Sequence, residues 1–420
     1  MKYLLENLRS LKGKEVSLAV VDGIFTEPGE ATSDWERIDG GGFTAIPGLV
    51  DLHTHLREPG KEDAETVLTG SNAAVAGGYT AISAMPNTNP IADTAGVVEQ
   101  VFRLGRSHAV CDVFPIGAVT LGQQGNSLSE MGAMNQSEAK VRIFSDDGHC
   151  VWDSLVMRRA LEYVKSFDGL IAQHAQDPRL TQGSQMNEGE VSALLGLKGW
   201  PAAAEESIIA RDILLNEHVG SRLHICHLTT GGGVELIRWA KKRGISVTAE
   251  VTPHHLLLTD ELARSYDPVY KVNPPLRTER DVMALREGVA DGTIDIIATD
   301  HAPHPTEDKE CEWAAAAFGM IGLETALSVS YKALVESGLM SLESLIERMS
   351  VAPARIAGYE GHGSLDVGSE ANFTLIDLAG SWRVDGSEIR SKSKNSPYLG
   401  MELPVTVKQT FLRGKEVFKG

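Results

Sequence analysis

Cysteine is scarce in this sequence. The 420 residues carry four, Cys111, Cys150, Cys226 and Cys311, far apart and without a CxxC pair. A disulfide framework or a cysteine-built zinc knuckle is therefore excluded, and free thiols in a reducing compartment are the expected state. Long apolar runs are absent too. None reaches the ~18 residues of a membrane span, and the opening MKYLLENLRSLKGKE breaks at Glu6 and Arg9, unlike a signal peptide. Positive charge is in deficit: 39 basic against 57 acidic side chains leave a formal net charge of −18, spread along the chain. That balance argues against nucleic acid or an anionic membrane as the main partner, and an anionic substrate would need local cations of its own. A cytoplasmic protein is expected. Low-complexity tracts are missing as well, and nothing repeats beyond an alternation of strand and helix.

That alternation is the main positive signal. The hydrophobic content of 42% suffices for one large domain of roughly 250–300 residues plus a smaller one. Residues up to about Thr44 read as short strands with turns. From residue 46 to 356, apolar strands alternate with amphipathic helices such as SLVMRRALEYVKSF, AEESIIARDILL and ERDVMALREGVADG. Eight strand candidates end near His55, Asn87, Thr120, Asp147, His174, His227, His255 and Asp300. Eight βα units in series predict an α/β fold of the (β/α)₈ TIM-barrel type, with its active site at the C-terminal ends of the strands. After Ile356 short strands return, so residues 1–45 and 357–420 are expected to pair as one small β domain, a β-sandwich, beside the barrel over residues 46–356.

The strand ends are chemically unusual. The first carries His53 and His55, two apart and so on one face of a strand. The fourth ends in Asp146 and Asp147, the fifth in His174, the sixth in His227 and the eighth in Asp300. A polar residue at one strand end is ordinary; five such ends at one rim point to a metal centre. Four imidazoles and two carboxylates exceed one tetrahedral ion and suit a pair. His53, His55 and Asp300 would hold one ion and His174 and His227 the other, with Asp147 between. Zn²⁺ suits imidazole-rich ligation best, with Mn²⁺ or Co²⁺ as substitutes. Such ions lower the pKa of bound water towards ~7, and Asp300 can carry a proton to a leaving nitrogen.

Arg57, Asn87, Asn273 and His304 are polar without being ligand-like, and are suited to clamping a substrate carboxylate. The plainer reading of the two asparagines is turn formation. Of the other histidines, His108, His218 and His362 read as solvated. His224, an odd number of residues before His227, reads as packing behind the barrel. His149, His254, His255 and His301 read as loop residues or supports of the ligands, and Glu205–Glu206 as a helix start.

In order along the chain, GLVDLHTHLREPG, AMPNTNP, FSDDG, HAQD, CHLTT, VTPHHLLLTD, KVNPPLR, ATDHAPH and FGMIGLET resemble the bacterial class I dihydroorotases of the amidohydrolase superfamily, and KSKNSPYLG extends the likeness into the tail. The resemblance implies zinc-dependent, reversible cyclisation of N-carbamoyl-L-aspartate to L-dihydroorotate in pyrimidine synthesis, by attack of a metal-activated hydroxide. Carried over by motif, His53, His55, Asp147, His174, His227 and Asp300 are metal ligands, with Asp300 also catalytic. Arg57, Asn87, Asn273 and His304 are implied to contact substrate, as is the Phe318-Gly319 backbone. Two zinc ions are implied, although some members hold one. Relatives bridge their metals with a carboxylated lysine on the fourth strand. Here Lys140 lies near the start of that strand and Asp146–Asp147 at its end, so an aspartate bridge is expected, and the spacing to HAQD favours Asp147. The rival readings are another cyclic amidohydrolase, of hydantoinase or allantoinase type, and a non-catalytic scaffold for aspartate transcarbamoylase. An aspartate transcarbamoylase complex and a homodimer are left open.

Overall fold

A computed structural model describes all residues from Met1 to Gly420. Eight parallel strands form the barrel: Leu49–Thr54, Tyr79–Ala84, Asp112–Pro115, Ile143–Ser145, Leu170–Gln173, Arg222–Ile225, Val247–Val251 and Ile296–Ile297. They pair in chain order as a three-stranded and a five-stranded arc. Parallel bridges between Gly117 and Phe144 and between Thr54 and His301 close the arcs into a ring. The third strand leaves its ladder at Pro115, short of Thr120, and the eighth at Ile297, three residues before Asp300. Near the mouth the chain gives up strand pairing, which frees side chains to converge.

One buried cluster includes Val50, Leu52, Ala81, Ile116, Ile143, Leu170, Ala172, Cys226 and Ile296. It draws on seven of the eight strands or the residue after them, as only the lumen of a barrel allows. A larger cluster fills the layer between strands and helices. The expected helices are present, at Ser154–Lys165, Ala203–Val219, Gly231–Lys242 and Glu279–Ala290 among others. Most start on a side-chain cap: Asp153 accepts from Leu155 and Val156, Thr230 from Gly233 and Thr278 from Asp281. These caps fix where each loop leaves the rim. No helix is long and apolar enough to cross a membrane.

The two ends of the chain share one eight-stranded sheet. Thr44–Pro47 pairs antiparallel with Phe373–Ile376, and Phe373–Arg383 with Glu402–Leu412. The core of this sheet includes Tyr3, Leu5, Phe25, Phe373 and Phe411. From Pro47 the chain passes through Gly48 directly into the first barrel strand.

Candidate metal centre and substrate site

His53 and His55 leave the first strand together and reach the same carboxylate. His53 Nε2 lies 3.3 Å from Asp147 Oδ1, and His55 Nε2 lies 3.4 Å from Oδ2. From across the barrel, His174 Nδ1 and His227 Nε2 approach Oδ1 to 3.2 and 3.1 Å. Asp300 Oδ1 lies 3.0 Å from His55 Nε2 and 3.5 Å from His53 Nε2. All six side chains are buried. Asp146 faces elsewhere: it accepts from the backbone N–H groups of Val119 and Thr120 and from the Thr120 hydroxyl. Lys140 is exposed. Asp147 is thus the strand-four residue at the centre.

Two triads, His53–His55–Asp147 and Asp147–His174–His227, each keep their ligand atoms within 4.8 Å of one another. They share Asp147. Ligands of one tetrahedral ion, bound at ~2.1 Å, lie about 3.4 Å apart, and the observed separations cluster there. His53 Nε2 is buried without any hydrogen-bond partner, although Asp147 and Asp300 face it. A buried polar atom left unpaired is costly; a cation among these donors satisfies it. The residues therefore fit a divalent metal centre.

The electrostatics agree. Burial disfavours a charged His53, yet Asp147, Glu250 and Asp300 outweigh it and hold its pKa well above the ordinary imidazole value. Burial likewise opposes ionisation of Asp147, but the charge on His53 and hydrogen bonds from His174 and His227 hold its carboxyl well below the usual range. The carboxylates outweigh the burial cost at this spot, so positive charge is favoured there.

Behind these side chains stands a supporting layer in which Asn87, expected from the sequence as a substrate contact, joins Glu250 and Gln176, which the sequence patterns did not single out. Glu250 Oε1 accepts from His53 Nδ1 at 2.5 Å and from the backbone N–H of His227 at 3.2 Å, while Oε2 accepts from His224 Nε2 at 3.0 Å. Gln176 Oε1 accepts from His174 Nε2 at 2.6 Å, and Asn87 Oδ1 from His55 Nδ1 at 2.9 Å. Each acceptor fixes a tautomer and leaves the other ring nitrogen free to ligate. The signal for Glu250 was a lone acid in the apolar strand VTAEV.

Two histidines differ from expectation. His224 does not pack behind the barrel; it points into the lumen, bonded to Glu250 and Thr248. Strand alternation fails here because His227 has φ +29°, which turns its side chain back to the side occupied by His224. Arg57 and Asp300 also have positive φ, +64° and +47°. For non-glycine residues such backbone costs of order 1–3 kcal/mol each and collects at functional sites. His362 is not solvated: it is buried between Thr80 and Asp112. His254, His255 and His301 are buried near the rim, and His149, His108 and His218 are exposed. Glu205 opens its helix as expected and accepts from the backbone N–H groups of Thr229 and Thr230.

Beside the ligand cluster, Arg57 is buried, its Nε donating to the Pro303 carbonyl at 3.1 Å and its Nη2 3.4 Å from His304 Nε2. Burial lowers its pKa to about 10, so it stays a cation at neutral pH. His304 Nε2 donates to the Phe318 carbonyl at 2.8 Å. Burial and the charges of Arg57 and Lys309 push its pKa down to about 3, so the ring is neutral. Asn273 Nδ2 donates to Gln176 at 3.3 Å, while its Oδ1 is buried and unpartnered. Gly319, at φ +146°, lies against His304: a Cβ there would sit 2.7 Å from Nε2.

The family described as Dihydro-orotase-like matches residues 42–232, and the Amidohydrolase family matches residues 203–417. A dihydroorotase of Streptomyces coelicolor is 62% identical over 418 residues, covering 99% of this chain and 97% of its own. The dihydroorotase of Mycobacterium tuberculosis is 52% identical over 420 residues, covering 99% and 98%. The chain belongs to the dihydroorotase family. Among solved structures, the L-hydantoinase (dihydropyrimidinase) of Arthrobacter aurescens superposes with a TM-score of 0.89 at 28% identity, covering 100% of this chain and 96% of its own. Hydantoinases thus share the architecture of a barrel with a β domain built from the termini. The high identity lies with dihydroorotases, and the fourth strand, Ile143–Ser145, holds no lysine. Enzyme class and activity follow the dihydroorotases; the scaffold reading is set aside.

Proposed function

We propose that the dihydroorotase activity of this chain, the reversible cyclisation of N-carbamoyl-L-aspartate to L-dihydroorotate, resides in the rim cluster centred on Asp147. Two divalent ions, zinc by donor chemistry, would be held by His53, His55 and Asp300 on one side and His174 and His227 on the other, bridged by Asp147. When bound they supply Lewis acidity at the scissile carbonyl and water activation near neutral pH. The observation that carries this reading is the buried Asp147 carboxylate with four imidazole nitrogens within 3.4 Å.

The protein's own groups do the rest. In the hydrolytic direction Asp300 takes the proton of the attacking water and passes it to the departing ring nitrogen; in cyclisation the transfer reverses. Its position beside His55 and His53 puts a carboxylate oxygen at the centre of the site. One carboxylate is present in both substrate and product and takes no part in the chemistry. Arg57 and the free amide of Asn87 are placed to hold it, with the His304 ring packed beside the guanidinium. The unpartnered Asn273 Oδ1 is an acceptor suited to a ring N–H, and the Phe318-Gly319 backbone lines the same end. A cytoplasmic setting belongs to this reading, supported by four free thiols, three of them buried.

The test is selectivity. Dihydroorotate and dihydrouracil share a ring and differ by the carboxylate. The clamp predicts efficient turnover of dihydroorotate and kcat/KM at least ~100-fold lower for dihydrouracil, a gap that Arg57→Ala narrows. Equal turnover of the two rings would contradict it.

A further inference from the structure

The segment 390–396, RSKSKNS, comes from the small β domain, between the strands Phe373–Arg383 and Glu402–Leu412, yet it lies across the barrel rim. Two acids anchor it, the buried Glu65 and the half-buried Glu324. Glu324 accepts from the backbone N–H groups of Arg390 and Ser391 at 2.9–3.1 Å. Glu65 accepts from the Ser391 hydroxyl at 2.5 Å and from Lys392 N at 3.0 Å.

What this anchoring delivers is Asn395, which is 7% exposed. Its Oδ1 accepts from the backbone N–H of His304 at 3.2 Å. Its Nδ2 donates to the carbonyls of Ala302 at 3.0 Å and Gly319 at 3.2 Å. The amide orientation is forced, because one partner is a donor and two are acceptors. One side chain thus ties together the loop after strand eight and the Phe318–Met320 stretch. Lys309 Nζ converges on the same Gly319 carbonyl at 3.0 Å, and Gly319 N donates to the Lys271 carbonyl at 3.0 Å. With its N–H and carbonyl both held, Gly319 keeps its place against the His304 ring.

We propose that Asn395 is a positioning residue that holds His304 and Gly319 at the spacing needed to grip the carboxylate end of the substrate, and so makes substrate binding depend on the C-terminal segment. This rests on reading His304 and Gly319 as substrate contacts. A misplacement of about 1 Å at such a clamp weakens binding steeply. Asn395 touches no ligand of the metal centre, so its effect falls on KM more than on kcat.

The experiment is steady-state hydrolysis of dihydroorotate by the metal-loaded full-length enzyme carrying Asn395→Ala, His304→Ala or both, with the melting temperature of each. Asn395→Ala is expected to raise KM about tenfold with kcat within about threefold of the wild type. Added to His304→Ala, it should raise KM at least about threefold less than it does alone, because the two act as a unit. Asn395→Leu, close in shape and unable to hydrogen-bond, should give the same pattern if the alanine variant does not fold. KM raised by His304→Ala but not by either Asn395 variant overturns the proposal alone. KM unmoved in every variant overturns the substrate-contact reading with it. An Asn395 effect of equal size in both backgrounds, or a loss of kcat and melting temperature at constant KM, shows a merely structural role and also overturns it.

Discussion

Glu250 sits under the metal centre and touches three of its histidines or their supports: His53, the backbone of His227, and His224. A carboxylate in that position raises the basicity of the imidazole it holds and fixes which nitrogen ligates. Glu250→Gln keeps size and shape but loses the charge. It is expected to weaken zinc retention by about 10–100-fold, read by competition with a chelator of known affinity. Unchanged affinity would show that Glu250 only packs. Asp300 is tested differently, since in the proposed mechanism it both joins the ligand cluster and moves the proton. Asp300→Ala should lower kcat by ~10³-fold or more while circular dichroism and melting temperature show an intact fold. Turnover within tenfold of the wild type would remove it as the proton carrier.

At the scale of elements, the sheet built from the chain ends meets the barrel through Asp112, at the start of the third strand. Arg413, in the turn between the last two strands, donates to both Asp112 oxygens at 2.7 and 2.9 Å, and the buried His362 donates to Oδ2 at 3.0 Å. Burial tends to raise the Asp112 pKa, but these two partners outweigh it and hold the carboxyl below the usual range. A carboxylate with a depressed folded pKa stabilises the fold above its unfolded value of ~3.9, and that contribution is lost as pH falls below it. Asp112→Asn should therefore lower stability by about 1–3 kcal/mol at pH 7, and its melting temperature should approach that of the wild type as pH falls below about 4. A gap that does not narrow would mean the Asp112 charge is not what stabilises.

The elements also show what could be read beforehand. Period-two apolar runs and 3.6-residue helices were legible because burial imposes them on sequence. The HxH pair was legible because alternation carries both rings to one side. His224 was misjudged for the same reason: the rule assumes an extended backbone, and His227 leaves it at φ +29°. Glu250 and Asn395 could not be ranked, because each acts through a partner distant in sequence. His53 and Glu250 are 197 positions apart, and His304 and Asn395 are 91 apart.

For the whole molecule, the barrel brings side chains from five strand ends to one point, and the small domain returns segment 390–396 to the same rim. In the proposed reading, an acidic chain of net charge −18 receives an anionic substrate at the buried Arg57, with the candidate metal centre next to it. The most direct test of this account is dihydroorotate hydrolysis, followed by its ultraviolet absorbance, before chelation, after it, and after Zn²⁺ is restored. The account predicts that activity disappears with the metal and returns with about two zinc ions per chain. Turnover that survives complete removal of metal would contradict it.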